Sequence, residues 1–136
     1  MAKEIIEYFL QMVKIDSESG EEQKFLKFLE NLFQEELGAK TQYDNYGNLI
    51  ININAKNSQK EEPILFCGHA DTVKPGKGIE PVLKKGVIYS NGATILGADD
   101  KAGIAELLMA LKKANKYPPI EILITRQEEM GLSGSS

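Results

Sequence analysis

Apolar residues recur along this chain at two different spacings, and the switches between them mark out its elements. Ile5, Ile6, Phe9, Leu10 and Val13 fall three or four apart and predict a short amphipathic helix. A loop at Asp16-Ser17-Glu18-Ser19-Gly20 interrupts the pattern. Ser19 followed by Glu22 has the spacing of a capping box, which predicts the opening of a second helix. That helix carries Phe25, Leu26, Leu29, Leu32 and Phe33 on one face, and Gly38 is placed to end it. The period then shortens to two. Residues 40–44 and 48–54 read as strands joined through the turn-forming Asn45-Tyr46-Gly47. Leu49, Ile51 and Ile53 alternate with polar residues, apart from Ile50, so one face of the second strand is expected to be buried.

Beyond a polar loop over 56–62, Pro63 introduces residues 64–68, a continuous apolar run that predicts a buried central strand. Residues 72–91 are rich in glycine and proline, with a small hairpin expected about Lys84-Lys85-Gly86 and a flexible turn at Gly76-Lys77-Gly78. A third helix is predicted over 100–116. Ala102, Ala105, Leu107, Leu108 and Leu111 form its stripe, and Pro118-Pro119 stops it. Ile120–Thr125 is a second candidate for a buried strand. A long helix bridging two apolar strands predicts an α/β layer fold in which those strands run parallel. Ligands in such folds gather beyond the carboxyl ends of the strands.

Composition narrows the function classes. The 136 residues suit one domain, and 42% hydrophobic with 26% charged residues is the balance of a soluble globular protein. Runs such as Ile64-Leu65-Phe66-Cys67 are too short to cross a bilayer, and Met1-Ala2-Lys3-Glu4 has no signal-peptide profile, so no membrane partner is expected. One cysteine, Cys67, excludes an intramolecular disulfide, fits a reducing cytoplasm and reads as an inert core thiol. A net charge of -4, with lysines scattered among acids, argues against nucleic acid. No phosphate-cradling loop ends in Gly-Lys-Ser or Gly-Lys-Thr, and Ser133-Gly134-Ser135-Ser136 lacks a nucleophile elbow.

Three polar clusters fall at strand ends or at the third helix's entry: His69-Ala70-Asp71, Asp99-Asp100 and Glu128-Glu129. Each has a bland reading alone. His69 could be a satisfied structural side chain, Asp99-Asp100 a helix cap, and Glu128-Glu129 a surface loop. Residues two apart on an extended segment point the same way, so Asp71 can orient His69 and leave one ring nitrogen for a metal. Adjacent aspartates at an apolar entry repel each other unless a cation or proton intervenes, and Gly97 and Gly103 suggest close backbone approach beside them. Neighbouring glutamates can divide labour, one binding metal and one moving protons, and Gly131 frees the backbone after them. All three clusters together favour a cation held by oxygen and one imidazole, with zinc foremost.

The segments Gly68-His69-Ala70-Asp71-Thr72-Val73, Ser90-Asn91-Gly92-Ala93-Thr94-Ile95-Leu96-Gly97-Ala98-Asp99-Asp100-Lys101-Ala102-Gly103 and Glu128-Glu129-Met130-Gly131-Leu132 resemble peptidase T-type aminotripeptidases. These belong with aminoacylases and glutamate carboxypeptidases to a group of dinuclear zinc hydrolases. The resemblance implies a layered zinc-exopeptidase core with a mixed sheet and flanking helices, incomplete at the carboxyl end. It implies that His69 binds one zinc, Asp99 bridges two, and Glu129 binds the other. Asp71 would be the orienting partner of His69 and Glu128 the general base, and the Asp99–Asp100 peptide would be cis. The implied activity is release of the amino-terminal residue from short peptides, tripeptides foremost, with aminoacylase or dipeptidase chemistry as the sibling reading. Relatives carry a further acidic ligand, a last histidine ligand and an inserted domain for dimerisation or lid closure. The chain therefore reads as the amino-terminal part of the catalytic domain, inactive alone. A non-catalytic reading, in which an uncovered sheet edge pairs with another copy, is the rival of a different class.

Overall fold

The computed structural model describes residues 2–130, so Gly131, Leu132 and the Ser133-Gly134-Ser135-Ser136 stretch lie outside the described residues. The first helix, α1, runs Ala2–Val13 and the second, α2, runs Gln23–Leu37. Gly38 ends α2 at φ +63, its N–H donating to Gln34 O, as glycine's freedom at positive φ allows. The capping-box expectation fails, because Glu22 makes no side-chain cap bond. Ser19 Oγ instead donates to Asp71 Oδ2, a contact between distant segments that local spacing cannot reveal.

Strands β1 (Lys40–Tyr43) and β2 (Leu49–Ile53) pair antiparallel. Asp44 Oδ1 fastens their connection by accepting the N–H groups of Tyr46, Gly47 and Asn48. Strand β3 is Ile64–His69, and β4 (Val82–Lys84) and β5 (Val87–Tyr89) form a separate hairpin. The third helix, α3 (Ala98–Lys113), leads into β6 (Ile120–Thr125). Helix α3 stops before the expected 116. Residues past Ala114 turn away to pair with residue 56, Lys56 and Tyr117 exchanging backbone hydrogen bonds.

The four-stranded sheet has the order β1-β2-β6-β3, antiparallel except that β3 and β6 run parallel on either side of the α3 crossover. It is thus a mixed sheet with helices packed on it. Leu49, Ile51 and Ile53 of β2 and Ile120, Ile122 and Ile124 of β6 share the buried face, where α2 meets β2 and α3 meets β3. Full burial of each contributes roughly 1.5–3 kcal/mol, so this apolar face anchors the fold.

Strand β3 departs from the expectation of a central strand. Within the described residues no strand pairs on its other side, so Ile64, Leu65 and Phe66 are exposed and Cys67 is an exposed thiol, not a core one. The Gly76-Lys77-Gly78 turn is pinned, its amides donating to Glu18 Oε2 and Asp16 Oδ1.

Helix α3 also buries an unexpected cation. Lys101 has no exposed surface; its Nζ donates to Ile15 O and lies 4.5 Å from the Phe25 ring centroid. Burial, opposed by the charge of Asp16, lowers its pKa to about 8 from an ordinary 10.5. Below pH 8 the fold must hold a charge it disfavours. Between pH 8 and 10.5 the folded chain gives up that proton before the unfolded chain does, so stability rises with pH. We expect the wild-type protein to gain about 3 kcal/mol relative to Lys101→Met across that window, read from urea unfolding at each pH. A constant difference would show that Lys101 does not titrate there.

Candidate metal centre

The parallel pairing of β3 with β6 matches His69 to Thr125, so the two strands end side by side. His69 is the last residue of β3, and a single 3-10 turn, Glu128–Met130, follows β6 closely. Asp99 arrives from the kinked entry to α3, where Asp99 and Asp100 have non-helical dihedrals. Gly97 sits at φ +84, and a Cβ there would lie 3.3 Å from Ile79 Cδ1. The Asp99–Asp100 peptide is cis, as the resemblance implied.

All the expected groups meet. His69 Nε2 lies 2.9 Å from Asp99 Oδ1, 3.8 Å from Glu129 Oε1 and 3.9 Å from Glu128 Oε2. His69, Glu128 and Glu129 each offer one ligand atom within 4.8 Å of the others. Asp100 turns away from the cluster. Its carboxyl lies against two glycines, for a Cβ at Gly103 would come within 2.3 Å of Oδ1 and one at Gly68 within 2.9 Å of Oδ2.

Asp71 does more than orient the histidine. His69 Nδ1 bonds the Asp71 main-chain oxygen at 2.8 Å, while the Asp71 carboxylate oxygen is 3.4 Å away. A carbonyl can only accept, so Nδ1 carries the proton and Nε2 faces the acids. The Asp71 carboxylate is fully buried. Its Oδ1 accepts the N–H of Glu128 and its Oδ2 that of Glu129 as well as the Ser19 hydroxyl, so one side chain ties β3 to the acidic turn.

The electrostatics describe a cluster short of positive charge. Burial works against a charged His69 ring, but the Asp99 hydrogen bond, the Asp71 carbonyl and both aspartate charges raise its pKa above the ordinary value. Burial first, then the Glu128 charge, raises Glu129. Burial also raises Asp100.

Donors at zinc distances of 2.0–2.2 Å stand roughly 3.3–3.5 Å apart around a tetrahedral ion. The 2.9–3.9 Å separations about His69 Nε2 bracket that spacing. Nε2 and an Asp99 oxygen at 2.9 Å are both acceptors unless a proton or a cation lies between them. One imidazole with carboxylate oxygens is a donor set that suits zinc. The residues fit the metal.

Sequence reasoning missed the supports. Asn48 Oδ1 accepts the N–H of Arg126, and Glu22 Oε2 that of Gln127. By spacing alone Asn48 reads as the start of a strand and Glu22 as half of a cap. Only their near-complete burial as polar residues marks them out, and no periodicity shows that.

The sequence profile of peptidase family M28 matches residues 48–136. Among similar proteins, the uncharacterized protein YqjE of Bacillus subtilis (strain 168) is 40% identical, the alignment covering 98% of this chain and 38% of that protein. The crystal structure of aminopeptidase PepT from Bacillus cereus ATCC 10987 superposes with a TM-score of 0.92 at 38% identity, over 99% of this chain and 39% of that one. That of a tripeptidase from Staphylococcus aureus subsp. aureus mu50 gives 0.87 at 33% identity, over 96% and 38%. The chain spans about two fifths of the length of these relatives. With a match across most of the chain, reaching from the β1–β2 turn through all three acidic clusters, the protein belongs to peptidase family M28 and is similar to PepT-type aminopeptidases.

Proposed function

We propose that this chain supplies part of the catalytic domain of a two-zinc aminopeptidase that releases the amino-terminal residue from short peptides, tripeptides foremost. An inserted dimerisation or lid domain and the rest of the catalytic domain complete the enzyme in this reading. The observation that carries it is the meeting of His69, Asp99, Glu128 and Glu129 about one imidazole nitrogen. The similar solved structures, an aminopeptidase and a tripeptidase, support the choice of substrate.

In the proposed enzyme His69 and Asp99 would hold one zinc, and Asp99 and Glu129 would hold the other. Zinc, when bound, lowers the pKa of a water and polarises the scissile carbonyl. Glu128 is the general base: its carboxylate takes the proton of the attacking water and passes it to the leaving amine. Asp71 keeps Nδ1 of His69 protonated through its carbonyl and keeps both glutamates aimed through its carboxylate. A cleft of about 330 Å³ edged by Val73, Ile95 and Leu96 opens against Asp99 and Glu129 and suits an apolar side chain. With only two protein ligands for each zinc, the 136-residue chain alone holds metal weakly and turns over little. The test is hydrolysis of a tripeptide with added zinc or cobalt, comparing the chain with a full-length relative of the same family. A full-length relative inert toward peptides under both metals would overturn the assignment.

One observation favours a second behaviour for the chain alone. The apolar β3 edge, with Leu65 58% exposed, is a template for strand pairing with another copy. Light scattering at increasing concentration should then show dimers or larger species. A monomer at every concentration would dismiss self-association.

A further inference from the structure

We propose that Glu22 is a positioning residue: by holding the amide of Gln127 it fixes the main-chain path on which Glu128 and Glu129 reach the metal centre. The inference rests on the metallopeptidase reading for its function but on the fold alone for its geometry. Four consecutive N–H groups leaving β6 are taken by buried side chains from three distant segments. Arg126 donates to Asn48 Oδ1 at 2.9 Å, Gln127 to Glu22 Oε2 at 2.8 Å, and Glu128 and Glu129 to the two oxygens of Asp71 at 2.9 and 3.0 Å. No secondary-structure ladder would satisfy these amides, so side chains dictate the path.

Gln127 shows that the path is imposed. It sits at φ +57, the left-handed region that a non-glycine residue avoids unless its surroundings hold it there. Glu22 holds its amide from one side, and the Tyr46 hydroxyl donates to its side-chain Oε1 from the other.

A capping role does not account for Glu22. It precedes α2, and its main-chain oxygen accepts the Leu26 N–H, yet its side chain makes no cap bond and is fully buried. Among the described residues its Oε1 meets no hydrogen-bond donor, and it faces Arg126 Nε at 3.8 Å. Arg126 in turn lies over the Tyr46 ring and donates to the Tyr46 carbonyl. The buried carboxylate thus clamps the segment entering the acidic turn, through the Gln127 amide and the Arg126 guanidinium.

Amide hydrogen exchange on the chain itself tests this, with Ile124 as the internal reference for global opening. Glu22→Met should speed exchange at Gln127, Glu128 and Glu129 by about tenfold or more, and Glu22→Gln, which keeps an acceptor, should restore most of the protection. Cobalt titration followed by absorbance should show affinity weakened about 10–100-fold in Glu22→Met and largely recovered in Glu22→Gln. In a Gln127→Gly background, where positive φ needs no restraint, the effect of Glu22→Met on Glu128 and Glu129 should shrink. Unchanged exchange at Glu128 and Glu129 in Glu22→Met overturns the proposal, as does equal loosening of Ile124. If Glu22→Met does not fold, Glu22→Asp keeps the charge, shortens the reach and carries the same expected loss. If the 136-residue chain binds cobalt too weakly to titrate, as an incomplete ligand set allows, the exchange data alone judge Glu22, and the metal reading is judged on the full-length relative.

Discussion

Glu128→Gln should lower kcat for tripeptide hydrolysis by about 10²–10⁴-fold in the proposed full-length aminopeptidase, the size of a lost general base, while zinc affinity stays close to wild type. The substitution is nearly isosteric, and the anchor of residue 128 is its main-chain N–H, which Asp71 Oδ1 holds whatever the side chain. The turn therefore keeps its shape while the proton acceptor goes. Glu129→Gln should do the reverse. Its oxygen stands 3.8 Å from His69 Nε2 and is a proposed zinc ligand, so the first expected loss is metal affinity, with activity partly recovered at high zinc. The two glutamates stand nearly the same distance from the imidazole, which makes the pair of variants the deciding experiment. Zinc competition beside steady-state kinetics would read both. If Glu128→Gln loses metal and Glu129→Gln keeps it, the roles are exchanged. Robust turnover by the 136-residue chain alone, abolished by Glu128→Gln, would overturn the idea that the ligand set is incomplete within it.

Periodicity exposed most of the fold because the core is built from regular faces. Leu49, Ile51 and Ile53 alternate in sequence and are buried in the structure, and Phe25, Leu26, Leu29, Leu32 and Phe33 line the inner face of α2 as their spacing required. The parallel pairing of β3 and β6 followed from the helix between them. Strand β3 itself was misread. An apolar run is the signature of a strand covered on both sides, but composition cannot say whether the covering elements stand among the described residues, and here Leu65 and Phe66 are open. Lys101 was equally hidden. In α3 it falls at a helical position that any solvated lysine could occupy, and only the packing of Phe25 and the Ile15 carbonyl above it makes the site a buried one.

The site divides along the same line. His69, Asp99, Glu128 and Glu129 were legible because strand ends and a helix entry collect ligands in layered α/β folds. Their convergence is a consequence of topology, which the pattern predicts. The supports around them were not legible, because each is a single polar residue reaching across 52 to 105 positions of chain. Ser19 and Glu22 had a ready local explanation in helix capping, and a local explanation conceals a distant one. For Asp71 the spacing correctly paired it with His69 but not the atoms, since main-chain oxygen and carboxylate divide the work between imidazole and turn.

That division makes Asp71 a sensitive position beside the proposed metal ligands. Asp71→Ala removes a fully buried carboxylate that accepts three hydrogen bonds, leaving the amides of Glu128 and Glu129 and the Ser19 hydroxyl without their acceptor. Breaking such a buried charged network costs about 3–5 kcal/mol, and urea unfolding should show a loss of that order. Ser19→Ala removes only one donor and should cost about 1 kcal/mol. Zinc affinity of the folded fraction should fall about 10–100-fold in Asp71→Ala, since both glutamates lose their anchors even though the Asp71 carbonyl still holds Nδ1. Asp71→Asn is the finer probe. One side-chain oxygen survives to accept a single amide, while the new NH₂ meets a second N–H donor head-on, so one glutamate keeps its support and the other does not. An Asp71→Ala protein as stable as wild type, with zinc affinity unchanged, would mean that the acidic turn holds its shape without the carboxylate, and the coupling between β3 and the turn would have to be abandoned.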